Sequence, residues 1–212
     1  MIQSNACNMQ EFQVQITKIE KLGNGKRRIH FEGMEHLILY YSETRGYKLE
    51  EGIYVSVQFY ETLRKEVVGK RAKKRALHIL EQMDRTEHQL REKLQLSEYP
   101  QSCIDDAIEY VKRFHYLDDR RYAETFTRYK KEKFSRQQIK QKLMQKGVSG
   151  DIISEALESE YDTDELVHIR SLLEKKHFSM EKADEGEFRR VYSYLLRRGF
   201  RSNDILKEMR DC

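Results

Sequence analysis

Apolar and polar positions alternate near the start of the chain: Phe12, Val14 and Ile16, then Ile19, lie on one side of an extended segment. A period of two marks a half-buried strand. LGNGK (22–26) follows, and its Asn24-Gly25 pair suits the positive φ angles of a tight hairpin. RRIHFE (27–32) reads as a second strand, Gly33 as another turn, and HLILYY (36–41) as a third strand. Three short strands make a small antiparallel sheet that needs a helix over its apolar face. Ser56 is placed to cap that helix, with Phe59, Leu63 and Val67 at helical spacing.

From Gly69 the period is helical. Ala72, Ala76, Leu77, Leu80 and Met83 form one stripe. Thr86 and Gln89 form a capping box, opening a helix with Leu90 and Leu94 inward. Pro100 breaks the chain before a helix capped by Ser102, with Ile104, Ala107, Ile108 and Val111 inward. The pattern then repeats. Asp118 or Asp119 caps a helix carrying Tyr122, Ala123, Phe126 and Tyr129. TEHQLREKL (86–94) returns as SRQQIKQKL (135–143): Ser135 and Gln138 repeat the box, Ile139 and Leu143 the apolar pair. Gly147 suits a left-handed helix end, and Ser149 opens a helix with Ile152, Ile153, Ala156 and Leu157. In a third copy Val191, Leu195, Gly199 and Phe200 match Ile139, Leu143, Gly147 and Val148. Ile205 and Met209 match Ile153 and Leu157; a first helix over about 163–176 carries Leu166, Ile169, Leu172 and Leu173.

Repeats of this kind bury their apolar faces by stacking on their neighbours. The predicted fold is mainly α: three tandem three-helix, helix-turn-helix-like units in an elongated array, preceded by a small antiparallel β-rich domain with a covering helix. The expected boundaries are a tail at 1–9, the β-rich domain at 10–68, and repeats at 69–116, 117–161 and 162–212.

Composition agrees with solvated helices rather than one large core. Of 212 residues, 38% are hydrophobic and 36% charged, with one proline and no tryptophan. Cys7, Cys103 and Cys212 are odd in number, far apart and without metal-binding spacing, which suits a reducing cytoplasm. Cys103 is expected as a small buried residue. The N-terminus lacks the basic start and apolar run of a signal peptide, and no apolar stretch approaches the roughly 18 residues of a membrane span. A soluble cytoplasmic monomer without membrane contact is expected.

Net charge is only +4, but it is segregated. Arg64–Arg75 holds seven basic residues against one acid, and Arg120–Lys146 ten against two. Residues 147–165 carry seven acids and no Lys or Arg. Such segregation creates local fields suited to phosphates or to an acidic protein face, though a solvated helix surface gives the same count. The Tyr122, Phe126, Tyr129 series reads as core packing rather than as a platform for bases, with Tyr129 able to reach the surface through its hydroxyl. Asp118-Asp119 reads as helix capping rather than as a catalytic carboxylate pair. HExxH, GxxxxGK[ST], GxSxG and Cys/His arrangements are all absent from the sequence. No catalytic activity, metal or cofactor is expected.

YLDDRRYA (116–123) followed by SRQQIKQKLMQKGVSGDIISEAL (135–157) resembles the bacterial regulatory RecX family, with DRTEHQLREKL (84–94) fitting its first unit and RRGFRSNDILKEM (197–209) its third. One departure is KKEKFS (130–135), where relatives usually place a glycine. The resemblance implies a modulator that binds RecA filaments on single-stranded DNA and restrains recombinase, ATPase and coprotease activity. From the basic runs, the residues expected to meet an acidic RecA surface or DNA phosphate are Lys73, Lys74, Arg121, Arg128, Lys131, Lys140, Lys142 and Lys146. The competing expectation is a helical-repeat protein that binds DNA directly, without RecA.

Overall fold

The computed structural model describes residues 12–162 and 164–212. The expected tail at 1–9, Cys7 and Thr163 lie outside the described residues. The chain forms two compact units: one runs to Met83 and includes Leu90–Leu117, and the other joins Asp84–Gln89 to Asp118–Cys212.

The first unit contains β1 (Gln13–Lys21), β2 (Lys26–Phe31), β3 (Leu37–Tyr40) and β4 (Tyr54–Ser56) in one antiparallel sheet of order β3-β2-β1-β4. Asn24 (φ 60) and Gly25 (φ 70) make the expected turn between β1 and β2. Ile16 and Ile19 are an odd number of residues apart, yet both pack inward. The register slips between Ile16 and Lys18, and this bulge returns Ile19 to the core side. Phe12 precedes the strand and is 85% exposed, so it does not extend the apolar face. The expected third strand ends early. Glu43 accepts the Tyr40 N–H at 2.7 Å, and Tyr41 begins α1 (Tyr41–Gly46). The fourth strand was not expected, because three residues are too few to show alternation.

Ser56 Oγ accepts the Phe59 N–H at 3.2 Å and starts α2 (Val57–Thr62). The chain continues through a π-helical stretch, Leu63–Gly69, into α3 (Lys70–Gln82). The Arg64 carbonyl in this wider turn accepts the Cys103 thiol at 3.5 Å. Burial pushes that thiol up to about 11, so Cys103 is a packed, inert side chain. α4 (Glu87–Gln95) and α5 (Gln101–Arg113) complete the first repeat. Ile16, Ile29, Leu37 and Leu39 of the sheet share one core with Leu63, Ala72 and Ala76 of the long helix. Leu90, Leu94, Ile104 and Val111 join the same core. Two expectations change here. The inward stripe of α3 is Ala72, Ala76 and Ile79, with the expected Leu77 and Leu80 packed against the same core; Met83 lies past the helix end and is exposed. Pro100, not Ser102, occupies the N-cap of α5, and Ser102 donates to Glu35 at 2.7 Å.

The second unit holds α6 (Asp119–Lys130), α7 (Arg136–Gln145), α8 (Gly150–Glu160), α9 (Glu165–Lys175), α10 (Glu185–Arg197) and α11 (Ser202–Arg210). One core gathers Ala123, Ile139, Leu143, Val148, Ile153 and Leu157. The other gathers Ile169, Leu173, Val191, Leu195, Phe200, Ile205 and Met209. The expected stripes therefore point inward. The aromatic series divides: Tyr122 and Phe126 pack against the core, while Tyr129 is 74% exposed.

The capping hydroxyls also tie repeats together. Thr86 and Gln89 close their box, with the Gln89 N–H donating to Thr86 Oγ1 at 3.3 Å and the Thr86 N–H to Gln89 Oε1 at 3.4 Å. The Thr86 hydroxyl donates onward to the Lys146 carbonyl at 2.5 Å. Ser135 accepts the Gln138 N–H at 3.2 Å and donates to the Arg198 carbonyl. Its box is one-sided, because Gln138 Nε2 turns to the Arg197 carbonyl at 3.2 Å. Each hydroxyl thus holds the carbonyl just before a left-handed glycine, Gly147 (φ 78) or Gly199 (φ 79). A Cβ at Gly147 would fall 2.3 Å from His88 Cβ, and one at Gly199 would fall 3.0 Å from Ser135 Oγ. At the matching end of α4 stands Glu98 (φ 58), its side chain bonded to Arg28.

The turn at 130–135, where the resemblance led to the expectation of a glycine, closes without one. The Lys133 and Phe134 N–H groups both return to the Lys130 carbonyl, at 2.9 and 3.0 Å, and no residue of 130–135 has positive φ. Nothing in that turn requires glycine.

Candidate partner-binding surfaces

Packing α6 beside α8 brings the basic segment against the acidic one. Arg128 forms a two-point bond with Glu160, at 2.8 and 2.7 Å, and Lys131 reaches Asp162 at 2.6 Å. Arg120 pairs with Glu155, and Glu165 accepts the Arg136 N–H at 2.9 Å. The hydrogen bond from Arg128 holds the Glu160 carboxyl below its usual range, and Lys131 does the same for Asp162. The contrast between these two runs, read from the sequence as a contact field, is answered in part inside the repeat, where Arg120, Arg128 and Lys131 meet acids of the second run.

Other candidates lie over aromatic rings. Lys142 Nζ sits 4.7 Å from the Phe134 centroid, Lys146 Nζ 5.7 Å from both Tyr122 and Phe126, and Lys73 Nζ 5.5 Å from Tyr110. The Arg121 N–H is accepted by Asp118 at 3.1 Å, the expected cap of α6. Asp119 accepts the Glu87 N–H at 2.8 Å and so serves the start of α4. Of the eight candidates, Lys74 and Lys140 make neither an ion pair nor a ring contact among the described residues. Lys140 lines a groove with Arg136, Arg201 and Glu158.

A second basic surface was not singled out in the sequence. On α10, Val191 and Leu195 face the core, which turns Arg189, Arg190 and Arg197 outward. With Ser193, Tyr194 and Lys176, which follows α9, they line one shallow open groove. Arg189 pairs with Glu185 one turn away, while Arg190, Arg197 and Lys176 form no ion pair among the described residues. The Tyr194 ring holds Lys176 Nζ at 4.1 Å and Arg198 Cζ at 4.7 Å. The available signal was three arginines on one thirteen-residue helix, FRRVYSYLLR included. The third copy was recognised by its apolar positions, so its charges went uncounted.

Beneath this surface His168 is buried against Phe200, ring centroids 5.2 Å apart at 87°, with Nδ1 unpartnered. Burial, and then the charge of Arg198, pushes its pKa below the ordinary imidazole value. Among the described residues no cluster of His, Cys, Asp or Glu could hold a metal ion, and no helix is long and apolar enough to cross a membrane.

Family models match in order along the chain: the RecX first three-helix domain over residues 72–110, the second over 118–157 and the third over 162–207. The chain is 32% identical to the "Regulatory protein RecX" of Clostridium botulinum (strain Eklund 17B / Type B) over 201 residues, covering 92% of this chain and 93% of that one. It is 36% identical over 139 residues to the protein of the same name from Trichlorobacter lovleyi, covering 63% and 90%. Two solved structures share the fold. A crystal structure of regulatory protein RecX matches with a TM-score of 0.62 at 21% identity, covering 94% of this chain and all of that chain (100%). The structure of RecX from Lactobacillus salivarius matches with a TM-score of 0.59 at 21% identity, covering 68% and 96%.

Proposed function

The chain belongs to the RecX family of regulatory proteins, and from that premise we propose that it binds RecA filaments on single-stranded DNA in the cytoplasm. Bound there, it restrains ATP hydrolysis, strand exchange and coprotease activity. The observation that carries this reading is the complete, ordered set of three family domains. Three linked units offer several weak contacts, and linkage turns the second and third into intramolecular events that raise the overall affinity.

Lys74 and Lys140 are the sequence candidates best suited to meet an acidic RecA face or a DNA phosphate, because among the described residues their charges have neither a carboxylate nor a ring partner. Arg128 and Lys131 act first as scaffold, holding Glu160 and Asp162. The test compares binding of the full chain to RecA-coated and to bare single-stranded DNA at one salt concentration. The proposal expects much tighter binding to the coated strand. Equal affinity for both would replace it with the direct DNA-binding reading. Reversing Lys140 to Glu weakens filament binding while helicity stays intact.

A further inference from the structure

We propose that the α10 groove of the third repeat binds the phosphodiester backbone of nucleic acid directly, without base preference. Arg190 and Arg197 are seven residues apart, two helical turns, so they share one face at about 10 Å along the axis. Ser193 and Tyr194 fall between them on the same stripe, and Lys176 adds a third cation from the end of α9. One carboxylate can satisfy one guanidinium. A chain with a negative charge on every unit can meet both ends of this stripe together.

The side chains suit phosphate. Arginine offers a planar fork for two phosphate oxygens, and Ser and Tyr hydroxyls are common donors to the nucleic-acid backbone. Asn and Gln are absent from the groove, as are Asp and Glu, so it lacks the amides and carboxylates that read adenine and cytosine edges, and its arginines lie along one open stripe that a backbone can follow. That is why no base preference follows.

A folded acidic protein fits less well. Protein interfaces close around buried apolar anchors, and this groove has none besides Tyr194, whose ring already carries two cations. The Arg189–Glu185 pair does not close the groove. It is exposed at both ends and readily exchanged for another anion.

This inference goes beyond the RecA reading and is tested without RecA. Fluorescence anisotropy follows a labelled single-stranded oligonucleotide titrated with the full chain over a salt series. Arg190→Gln with Arg197→Gln should weaken binding tenfold or more at low salt. It should also flatten the slope of log affinity against log salt by about 1.4, since each phosphate contact on a single strand contributes about 0.7. Thermal midpoint and helicity should not change, because both side chains are exposed. Arg190→Lys with Arg197→Lys should keep the slope while losing part of the affinity. Oligo-dT and oligo-dA of equal length should bind within about threefold of each other. The proposal is overturned if the glutamine pair binds like the parent chain. It is equally overturned if polyglutamate of matched charge displaces the oligonucleotide as well as inorganic polyphosphate does, since that would mark an acidic-protein site. A chain that slows RecA but ignores the oligonucleotide would refute this site alone.

Discussion

The middle and third repeats are built alike, and in both the first and second helices use their cations differently. In the middle repeat, α6 lies beside α8, whose Glu155 and Glu160 meet Arg120 and Arg128, while Asp162, just past α8, meets Lys131. In the third repeat, α11 supplies Glu208, a carboxylate only 1% exposed, and it goes to Arg170 of α9. Arg190 and Arg197 on α10 receive no such partner among the described residues. The cations beside the acidic helix are therefore the neutralised ones, while Lys140 on α7, the counterpart of α10, makes no ion pair among the described residues. Cation density along a sequence marks a contact surface only where the neighbouring helix withholds acids.

The joints differ between these repeats too, and Gly147→Ala tests that difference most severely. The new Cβ would collide with His88 Cβ at a helix end already in left-handed conformation. The expected loss is about 3 kcal/mol or more of unfolding free energy in urea. His88→Gly in the same chain should restore part of it; a Gly147→Ala chain as stable as its parent would disprove the packed joint. Gly199→Ala should cost less, about 1–2 kcal/mol, mostly for the left-handed backbone, because its Cβ meets the Ser135 hydroxyl at 3.0 Å.

A pH series sharpens the comparison inside the cores. Aligning the caps Asp118 and Asp164 sets His168 against Tyr122. Folding lowers the His168 pKa below its ordinary 6.5. Its contribution is therefore complete above that value and is lost as pH falls through it, because the buried imidazole must take up a proton. Thermal melts should show the third repeat weakening below about pH 6.5, and His168→Leu should flatten that dependence. An unchanged pH profile would mean that His168 titrates as if exposed.

The mildest change is Arg128→Ala with Lys131→Ala. It should lower the thermal midpoint modestly while oligonucleotide affinity stays within about twofold, the opposite of the α10 variants. If affinity falls as far as in those variants, the scaffold role of the α6 cations is wrong.

The helices of the three repeats were legible because they carry strong local signals, whereas the short α1 (Tyr41–Gly46) carried none. Apolar stripes at 3.6-residue spacing, capping hydroxyls at Thr86 and Ser135, and glycines at 147 and 199 all mean the same thing in sequence and in space. The sheet was read less completely. β4 is three residues long, and the end of β3 depends on the Glu43 side chain reaching the Tyr40 N–H. The candidate surface was least legible, because a charge run does not reveal its cross-helix partners. Arg128 and Glu160 lie thirty-two residues apart and meet only when α6 packs on α8.

The regulatory role is tested most directly by RecA's ATP hydrolysis on single-stranded DNA, followed while the full chain is added from below to above stoichiometry. The expected result is a progressive fall in turnover, with shorter filaments in parallel samples. Unchanged turnover and filament length in the presence of a stoichiometric excess of folded protein would contradict the account.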